Sequence, residues 1–184
     1  MAKATNSPHG DLSTVRIGVV GHGVVGSAFT ALVARQRDVI AARTGVLLDV
    51  VRIAVSDAGK HPSQVGGADV VTDAMAVATA KDVDLVVEVM GGTTLAGEVI
   101  RAALEAGKPV VTANKALLAA RSAEFFKIAD ERGIDLLFEA AVCGGIPLIR
   151  PLRESLRGEP IRRVLGIVNG TTNFILTKMT EDGL

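Results

Sequence analysis

The stretch "IGVVGHGVVGSAF", residues 17–29, decides the fold. Its glycines Gly21, Gly23 and Gly26 lie between an apolar run and a segment whose apolar residues have helical spacing. A G-x-G-x-x-G pattern between a strand and a helix is typical of a dinucleotide-binding turn, in which Gly21 allows the tight turn, Gly23 lets a pyrophosphate approach and Gly26 lets the helix pack closely. The alternative is a turn with a structural role only.

The pattern continues through residues 15–140, where short β-branched runs alternate with longer helical stretches. We predict strands over 15–20, 46–56, 68–73, 83–90, 108–114 and 134–142, and helices over 24–44, 95–107 and 115–133. Buried runs that alternate with helices indicate a parallel sheet covered on both faces. The predicted fold class is therefore α/β, with a Rossmann-like doubly wound parallel sheet over 15–140, after a disordered leader over 1–14.

After residue 140 the alternation of short β-branched runs with helical stretches ends. Residues 141–184 predict a hinge and the opening of a second, α+β domain: a loop, a short helix, a strand that begins at Ile161, a polar turn and the start of a helix. Little sequence follows that last helix. We therefore expect an incomplete substrate and dimerisation domain.

Composition excludes several classes of protein. Among 184 residues, aromatic side chains make up 3% and the 20 basic residues balance the 20 acidic ones, so neither base stacking nor a basic field favours nucleic acid. No apolar run approaches the ~18 residues of a membrane span. The single cysteine fits a reducing compartment, and the three histidines lack the spacing of a zinc site. We expect a cytoplasmic protein that acts on a small molecule.

The sequence leaves the choice of cofactor open between NAD and NADP. The predicted cofactor residues are the three glycines with Val24 and Val25, whose backbone N–H groups open the helix. Beyond the second strand, Asp57 could accept a hydrogen bond from a ribose 2′-hydroxyl, whereas Ser56 and Lys60 could receive a 2′-phosphate. His22 is interpreted as a solvent-facing loop residue.

Three later blocks carry a resemblance to a known family. They read "VVEVMGGTTLAGEVIRAALEAGKPVVTANKALLA" (86–119), "FEAAVCGGIPLIRPL" (138–152) and "GIVNGTTNFIL" (166–176), in that order and after the glycine turn. Residues 15–183 resemble homoserine dehydrogenase. The resemblance implies interconversion of L-homoserine and L-aspartate-4-semialdehyde with NAD or NADP, in the pathway to threonine and methionine, by a homodimer or larger assembly.

The resemblance also implies roles for two residues at strand ends. Thr93 and Lys115, the lysine of "TANK", would lie near the nicotinamide. The Lys115 ammonium could polarise the aldehyde oxygen or stabilise alkoxide character during hydride transfer. The alternative is an exposed lysine in a first helical turn, although a cation there opposes the helix dipole.

Near the end of the chain, the resemblance places Asn169, Gly170 and Thr171 against the nicotinamide and the substrate. The alternative for this segment is a polar turn in which Thr171 or Thr172 caps the next helix.

In the "EAAVCGGIP" loop, the resemblance implies a sodium ion held by the backbone carbonyls of Glu139, Val142, Gly144 and Ile146, ligands that suit a hard cation. Cys143 has a separate alternative, attack on an aldehyde as in acylating dehydrogenases. No histidine base follows His61, which favours a buried apolar role for Cys143.

The chain departs from the family in length and at one cofactor position. Family members continue into a segment with a lysine proton donor and acidic residues that hold the amine of homoserine, and many carry an arginine where Ser56 stands. We therefore expect a piece that binds cofactor and is catalytically incomplete. The alternative is a stand-alone, non-catalytic dinucleotide-binding module.

Overall fold

The computed structural model describes residues 12–167 and 169–183. Most of the leader predicted over 1–14 lies outside the described residues, and its end is predicted wrongly, because Ser13 and Thr14 belong to the first strand. Two compact units divide the chain: the first ends at Leu137 and the second begins at Phe138.

The first unit is built on a seven-stranded sheet in the order β3-β4-β2-β1-β5-β6-β7. Its strands are β1 (Ser13–Val20), β2 (Val46–Ala54), β3 (Gln64–Val65), β4 (Ala68–Val71), β5 (Leu85–Glu88), β6 (Val110–Thr112) and β7 (Leu136–Leu137). All neighbours pair in parallel except β3 and β4. The strand order reverses at β1, which confirms the predicted Rossmann-like doubly wound sheet.

The helices of this unit begin and end where local sequence signals lie. They are α1 (Val24–Thr44), α2 (Ala74–Thr79), α3 (Thr94–Glu105) and α4 (Lys115–Arg132). The side chain of Asn114 caps α4 by accepting the N–H of Leu117. Gly45 and Gly133, both left-handed, end α1 and α4.

The core lies where the central strands meet the helices. Val19, Ile53 and Val86 on neighbouring strands are fully buried, as is Phe125 on α4. Each such side chain contributes roughly 1.5–3 kcal/mol by leaving water. The β-branched runs of the sequence thus form the central strands, and they hold the strand ends that carry the candidate site.

The second unit consists of turns and short helices. Tight turns at Glu139–Ala141 and Cys143–Gly145 precede a helical turn that includes Pro151–Ser155, and α5 spans Gly170–Asp182. Apolar side chains of this unit are exposed, among them Leu165, Phe174 and Leu176. Among the described residues, no helix is both long and apolar enough to cross a membrane.

Two predicted strands differ from the structure. The strand predicted over 134–142 has only the two residues of β7, because its partner β6 is three residues long and Glu139 already begins a turn. The strand predicted from Ile161 does not form: residues 160–167 make no strand pairing with the described residues, and Leu165 is 84% exposed. An apolar β-branched run needs a partner strand before its backbone groups can pair.

Two small elements had no prediction. They are α2 and β3, and β3 pairs with β4, which lies within the strand predicted over 68–73. Both are short: β3 has two residues and α2 has six. Elements of that size show too few residues for a period of 2.0 or 3.6 to emerge.

Candidate functional site

The glycine turn begins at a position that only glycine tolerates. Gly21 has φ +99°, and a β-carbon there would lie 2.5 Å from the Cα of Met90. Its N–H donates to the carbonyl of Ala54 at 2.9 Å. The turn therefore closes tightly against the ends of β2 and β5.

The two later glycines of the motif have different surroundings. A β-carbon on Gly26 would lie 2.1 Å from the carbonyl oxygen of Gly21, so α1 packs directly on the turn. At Gly23 no atom would lie within 4 Å of such a carbon. Gly23 gives α1 no side-chain cap, and Val24 is 89% exposed. The open space and the free first-turn N–H groups of a 21-residue helix suit an anionic group.

A cavity of about 360 Å³ adjoins this turn. It is lined by the glycine turn, the ends of β2 and β5, and the loop that contains His61; Gly21, Gly23, Ser56, His61 and Met90 are among the lining residues. The strand order reverses at this edge of the sheet, where open α/β folds bind their ligands.

Of the three candidate ribose residues, only Ser56 lines this cavity. The carboxylate of Asp57 accepts the N–H of Gly59 at 2.9 Å and lies 3.3 Å from the ammonium of Lys60. Asp57 and Lys60 therefore pair with each other in the turn that follows β2.

The prediction that His22 faces solvent is wrong. The ring is half-buried, its Nε2 lies 3.1 Å from the Thr30 hydroxyl, and it meets the ring of His61 edge-on at 5.5 Å between centroids. Burial, and then the proximity of His61, lower the pKa of His22. Helix α1 turns Thr30 toward the glycine loop, a tertiary contact that the loop sequence does not show.

Thr93 and Lys115 lie at the ends of two adjacent strands. Thr93 precedes α3 after β5, and Lys115 is the first residue of α4 after β6; both side chains are exposed. Since β5 and β6 pair in parallel, their carboxyl ends lie at one edge of the sheet.

A buried carboxylate beneath these two loops was not predicted from the sequence. Glu88, the last residue of β5, is fully buried and accepts the hydroxyl of Thr112 at 2.6 Å. Its other oxygen accepts the N–H of Met90 at 3.0 Å. An acid within the apolar run "VVEVM" is the signal that could have pointed to it, because an ionisable residue is seldom fully buried without a partner.

In the second unit, the Glu139 carboxylate holds the start of the helical turn. One oxygen accepts the N–H of Ile149 at 3.0 Å and that of Leu148, and the other accepts the N–H of Arg150 at 2.8 Å. These backbone hydrogen bonds, led by the one from Leu148, lower the pKa of Glu139. For Glu139 the sequence predicted only a role of its carbonyl, because the hydrogen bonds of its side chain join residues nine to eleven positions apart.

The four carbonyls assigned to sodium lie in this same segment. Those of Glu139 and Val142 accept turn hydrogen bonds, from the N–H of Val142 at 3.2 Å and of Gly145 at 3.3 Å. Gly144 and Ile146 follow within four residues. In the part of the chain that the structure describes, no three His, Cys, Asp or Glu residues gather into a metal-binding group.

Asn169 caps α5: its side chain accepts the N–H of Thr172 at 2.8 Å. The alternative in which Thr171 or Thr172 provides the cap is therefore wrong, because the residue before Gly170 already supplies the oxygen. Gly170 and Thr171 form the exposed first turn of α5.

Cys143 is half-buried in the "EAAVCGGIP" loop and has φ +51°, a left-handed conformation. The prediction that Cys143 is buried is therefore wrong, because its side chain in this tight turn is partly exposed.

The parallel sheet that reverses at β1, the glycine turn and the adjoining cavity define the class of Rossmann-type dinucleotide-binding proteins. The family model for the NAD-binding domain of homoserine dehydrogenase matches residues 21–139, and a second homoserine dehydrogenase model matches residues 147–184. The chain belongs to the homoserine dehydrogenase family, as the sequence motifs predicted.

Individual relatives agree with this assignment. The chain is 49% identical over 182 residues to homoserine dehydrogenase of Corynebacterium glutamicum and 42% identical over 175 residues to that of Pseudomonas aeruginosa. The crystal structure of a homoserine dehydrogenase from Thiobacillus denitrificans is 40% identical, with a TM-score of 0.81 over 94% of this chain and 40% of that chain. A hyperthermophilic archaeal homoserine dehydrogenase in complex with NADPH is 30% identical, with a TM-score of 0.72 over 91% of this chain and 57% of that one.

The chain spans about 40% of the length of its curated relatives. It covers 41% of the Corynebacterium glutamicum protein and 39% of the Pseudomonas aeruginosa protein, while 99% and 94% of this chain align.

Proposed function

We propose that the first unit binds NADP or NAD through the glycine turn. The observation that carries this proposal is the open space at Gly23 beside the start of α1, which adjoins a cavity between β1, β2 and β5. The N–H groups of Val24 and Val25 would hold the pyrophosphate, and Ser56 would meet the adenosine ribose. The archaeal relative in complex with NADPH supports a cofactor with a 2′-phosphate.

We further propose that this segment serves the interconversion of L-homoserine and L-aspartate-4-semialdehyde. The nicotinamide cofactor supplies or accepts the hydride. Lys115, exposed at the carboxyl edge of the sheet, would stabilise negative charge on the reacting oxygen, and Thr93 would position the nicotinamide end. Asn169, Gly170 and Thr171, at the start of α5, are the proposed substrate contacts.

We also propose two domains, a division that the family models over residues 21–139 and 147–184 support. Residues 15–140 form the cofactor domain, and 141–184 form the hinge and the opening of a substrate and dimerisation domain. The alignment with about 40% of each relative supports the expectation that this piece binds cofactor without completing catalysis. We place the activity in threonine and methionine biosynthesis, in the cytoplasm, within a homodimer or larger assembly.

A sodium ion at the carbonyls of Glu139, Val142, Gly144 and Ile146 is part of the same proposal. The segment consists of two consecutive tight turns, and backbone carbonyl oxygens are ligands that suit a hard cation.

A chimera tests the proposed activity. Residues 1–184 are joined to the remaining part of the Corynebacterium glutamicum enzyme, and homoserine-dependent reduction of NADP and NAD is measured. We expect activity in the chimera, none in residues 1–184 alone, and a loss of about 100-fold in kcat for Lys115→Met, the scale of one charge-stabilising group. Lys127→Met, an exposed lysine further along α4, is the matched control. A folded but inactive chimera, or equal rates in both variants, would contradict the proposal.

A further inference from the structure

Glu88 is a fully buried carboxylate that the proposed reaction does not use. It lies at the carboxyl end of β5, next to Thr112 at the end of β6, its register partner. Both carboxylate oxygens accept hydrogen bonds, one from the Thr112 hydroxyl at 2.6 Å and one from the N–H of Met90 at 3.0 Å. The side chain thus joins two strand ends and the loop after the first of them.

The chain of hydrogen bonds continues through Asn114. The N–H of Asn114 donates to the Thr112 hydroxyl oxygen at 3.0 Å, so that hydroxyl's own proton is directed to Glu88. The Asn114 side chain donates to the carbonyl of Gly92 at 2.7 Å and accepts the N–H of Leu117 at 3.1 Å. In the part of the chain that the structure describes, every buried side-chain polar atom has a partner.

These contacts fix two loops at once. The loop over 89–93 is held at Met90 and Gly92, and the start of α4 is held by Asn114. The first loop carries Thr93, and Lys115 follows Asn114 directly. Both loops lie on the β5–β6 side of β1, whereas Ser56 lies on the β2 side. A dinucleotide that crosses the switch point with its adenosine toward β2 has its nicotinamide toward these loops.

We propose that Glu88 is a positioning residue: through Thr112 and Asn114 it fixes the 89–93 loop and the start of α4 around the nicotinamide half of the cofactor. This inference rests on the proposed cofactor binding. It assigns to Glu88 no contact with the cofactor. Its role is to hold loop geometry that the exposed side chains of Thr93 and Lys115 depend on.

Stability alone does not account for a carboxylate here. Burial of a charge carries a desolvation penalty that its hydrogen bonds must offset, and apolar residues of similar volume are often at least as stable at such sites. What a fully satisfied polar network supplies in addition is a single arrangement of the groups it joins.

Separate binding of the two halves of the cofactor tests this role. Residues 1–184 are titrated with NADPH, with NADH and with ADP, which carries only the adenosine and pyrophosphate part. For Glu88→Gln and Thr112→Val we expect the Kd for the preferred dinucleotide to rise about tenfold, the scale of one lost hydrogen bond to a charged group, and the Kd for ADP to stay within about twofold. Thr112→Ser, which keeps the hydroxyl, should bind all three ligands as the unmodified chain does.

The outcomes separate the inference from the proposal beneath it. Equal weakening of ADP and dinucleotide binding, or no weakening of either, overturns the positioning role while cofactor binding stands. Failure of the unmodified chain to bind any of the three ligands overturns both. If Glu88→Gln does not fold, the near-isosteric Thr112→Val, compared with Thr112→Ser, decides the question by the same criteria.

Discussion

A β-carbon on Gly26 would lie 2.1 Å from the carbonyl oxygen of Gly21, closer than any non-bonded carbon and oxygen can approach. The first helix and the glycine turn are therefore in direct backbone contact. A β-carbon on Gly23, two residues after Gly21, would have no atom within 4 Å. Two glycines of one motif thus have opposite requirements: one serves packing and the other leaves space.

This contrast predicts different stabilities for two alanine variants. Gly26→Ala should lower the free energy of unfolding by about 3 kcal/mol, because the backbone must move to accommodate the methyl group. Gly23→Ala should change it by less than about 1 kcal/mol, since Gly23 has φ −78° and open space. Thermal unfolding followed by circular dichroism measures both. Similar midpoints for the two variants would contradict the packing role of Gly26.

The ion pair between Arg16 on β1 and Asp84 before β5 makes stability depend on acidic pH. The guanidinium and the N–H of Arg16 donate to the Asp84 carboxylate, two of these bonds at 2.9 Å, and lower the pKa of Asp84 to about 2. A carboxyl with a depressed folded pKa stabilises the fold above its unfolded pKa of about 3.9. That contribution is lost as the pH falls from about 4 through 2.

We therefore expect Asp84→Asn to cost about 1 kcal/mol at pH 7, the scale of an exposed pair, since the Asp84 side chain is 39% exposed and solvent screens it. The difference from the unmodified chain should disappear near pH 2. Urea unfolding at pH 7, 4 and 2 measures it, with Asp38→Asn on the exposed face of α1 as the control. A difference that persists at pH 2 would show that the effect is not ionic.

In the second unit, the Glu139 side chain should protect the amides that it holds. Glu139→Ala leaves the N–H groups of Leu148, Ile149 and Arg150 without their acceptor, so their hydrogen exchange should accelerate. Glu139→Gln keeps one acceptor oxygen and should retain part of the protection. Because the pKa of Glu139 is lowered, protection in the unmodified chain should persist below the ordinary pKa of a glutamate and fail in stronger acid. Unchanged hydrogen exchange in Glu139→Ala would contradict the prediction that the side chain protects these amides.

The local pattern of the sequence was sufficient for the longer elements of the first unit up to β6, but not for the short β3 and α2. The β-branched run before Gly21 and the glycines Gly45 and Gly133 mark where elements end, and each signal lies within a few residues of the structure it determines. The strand predicted from Ile161 failed because pairing depends on a partner, which the local pattern does not contain.

In the candidate site, too, the local pattern predicted only what depends on neighbouring residues. The glycine turn is local, and the pattern identified it. The Glu88 network joins residues 24 and 22 positions apart, Glu88 to Thr112 and Gly92 to Asn114, and becomes visible only once β5 and β6 pair. Ser56 and Asp57 are neighbours after β2, so the sequence could not decide which of them faces the cofactor. The structure distinguishes them, because the carboxylate of Asp57 accepts a hydrogen bond within the following turn.

Titration of residues 1–184 with NADPH and NADH, followed by nicotinamide fluorescence, tests the central claim most directly. We expect saturable binding of at least one of them, with a Kd between about 1 µM and 1 mM, the range in which enzyme KM values commonly fall. Gly23→Ala, folded as the unmodified chain is, should bind more weakly because its methyl group occupies the space at the start of α1. Absence of binding of both cofactors at millimolar concentration, or unchanged affinity in Gly23→Ala, would contradict the account.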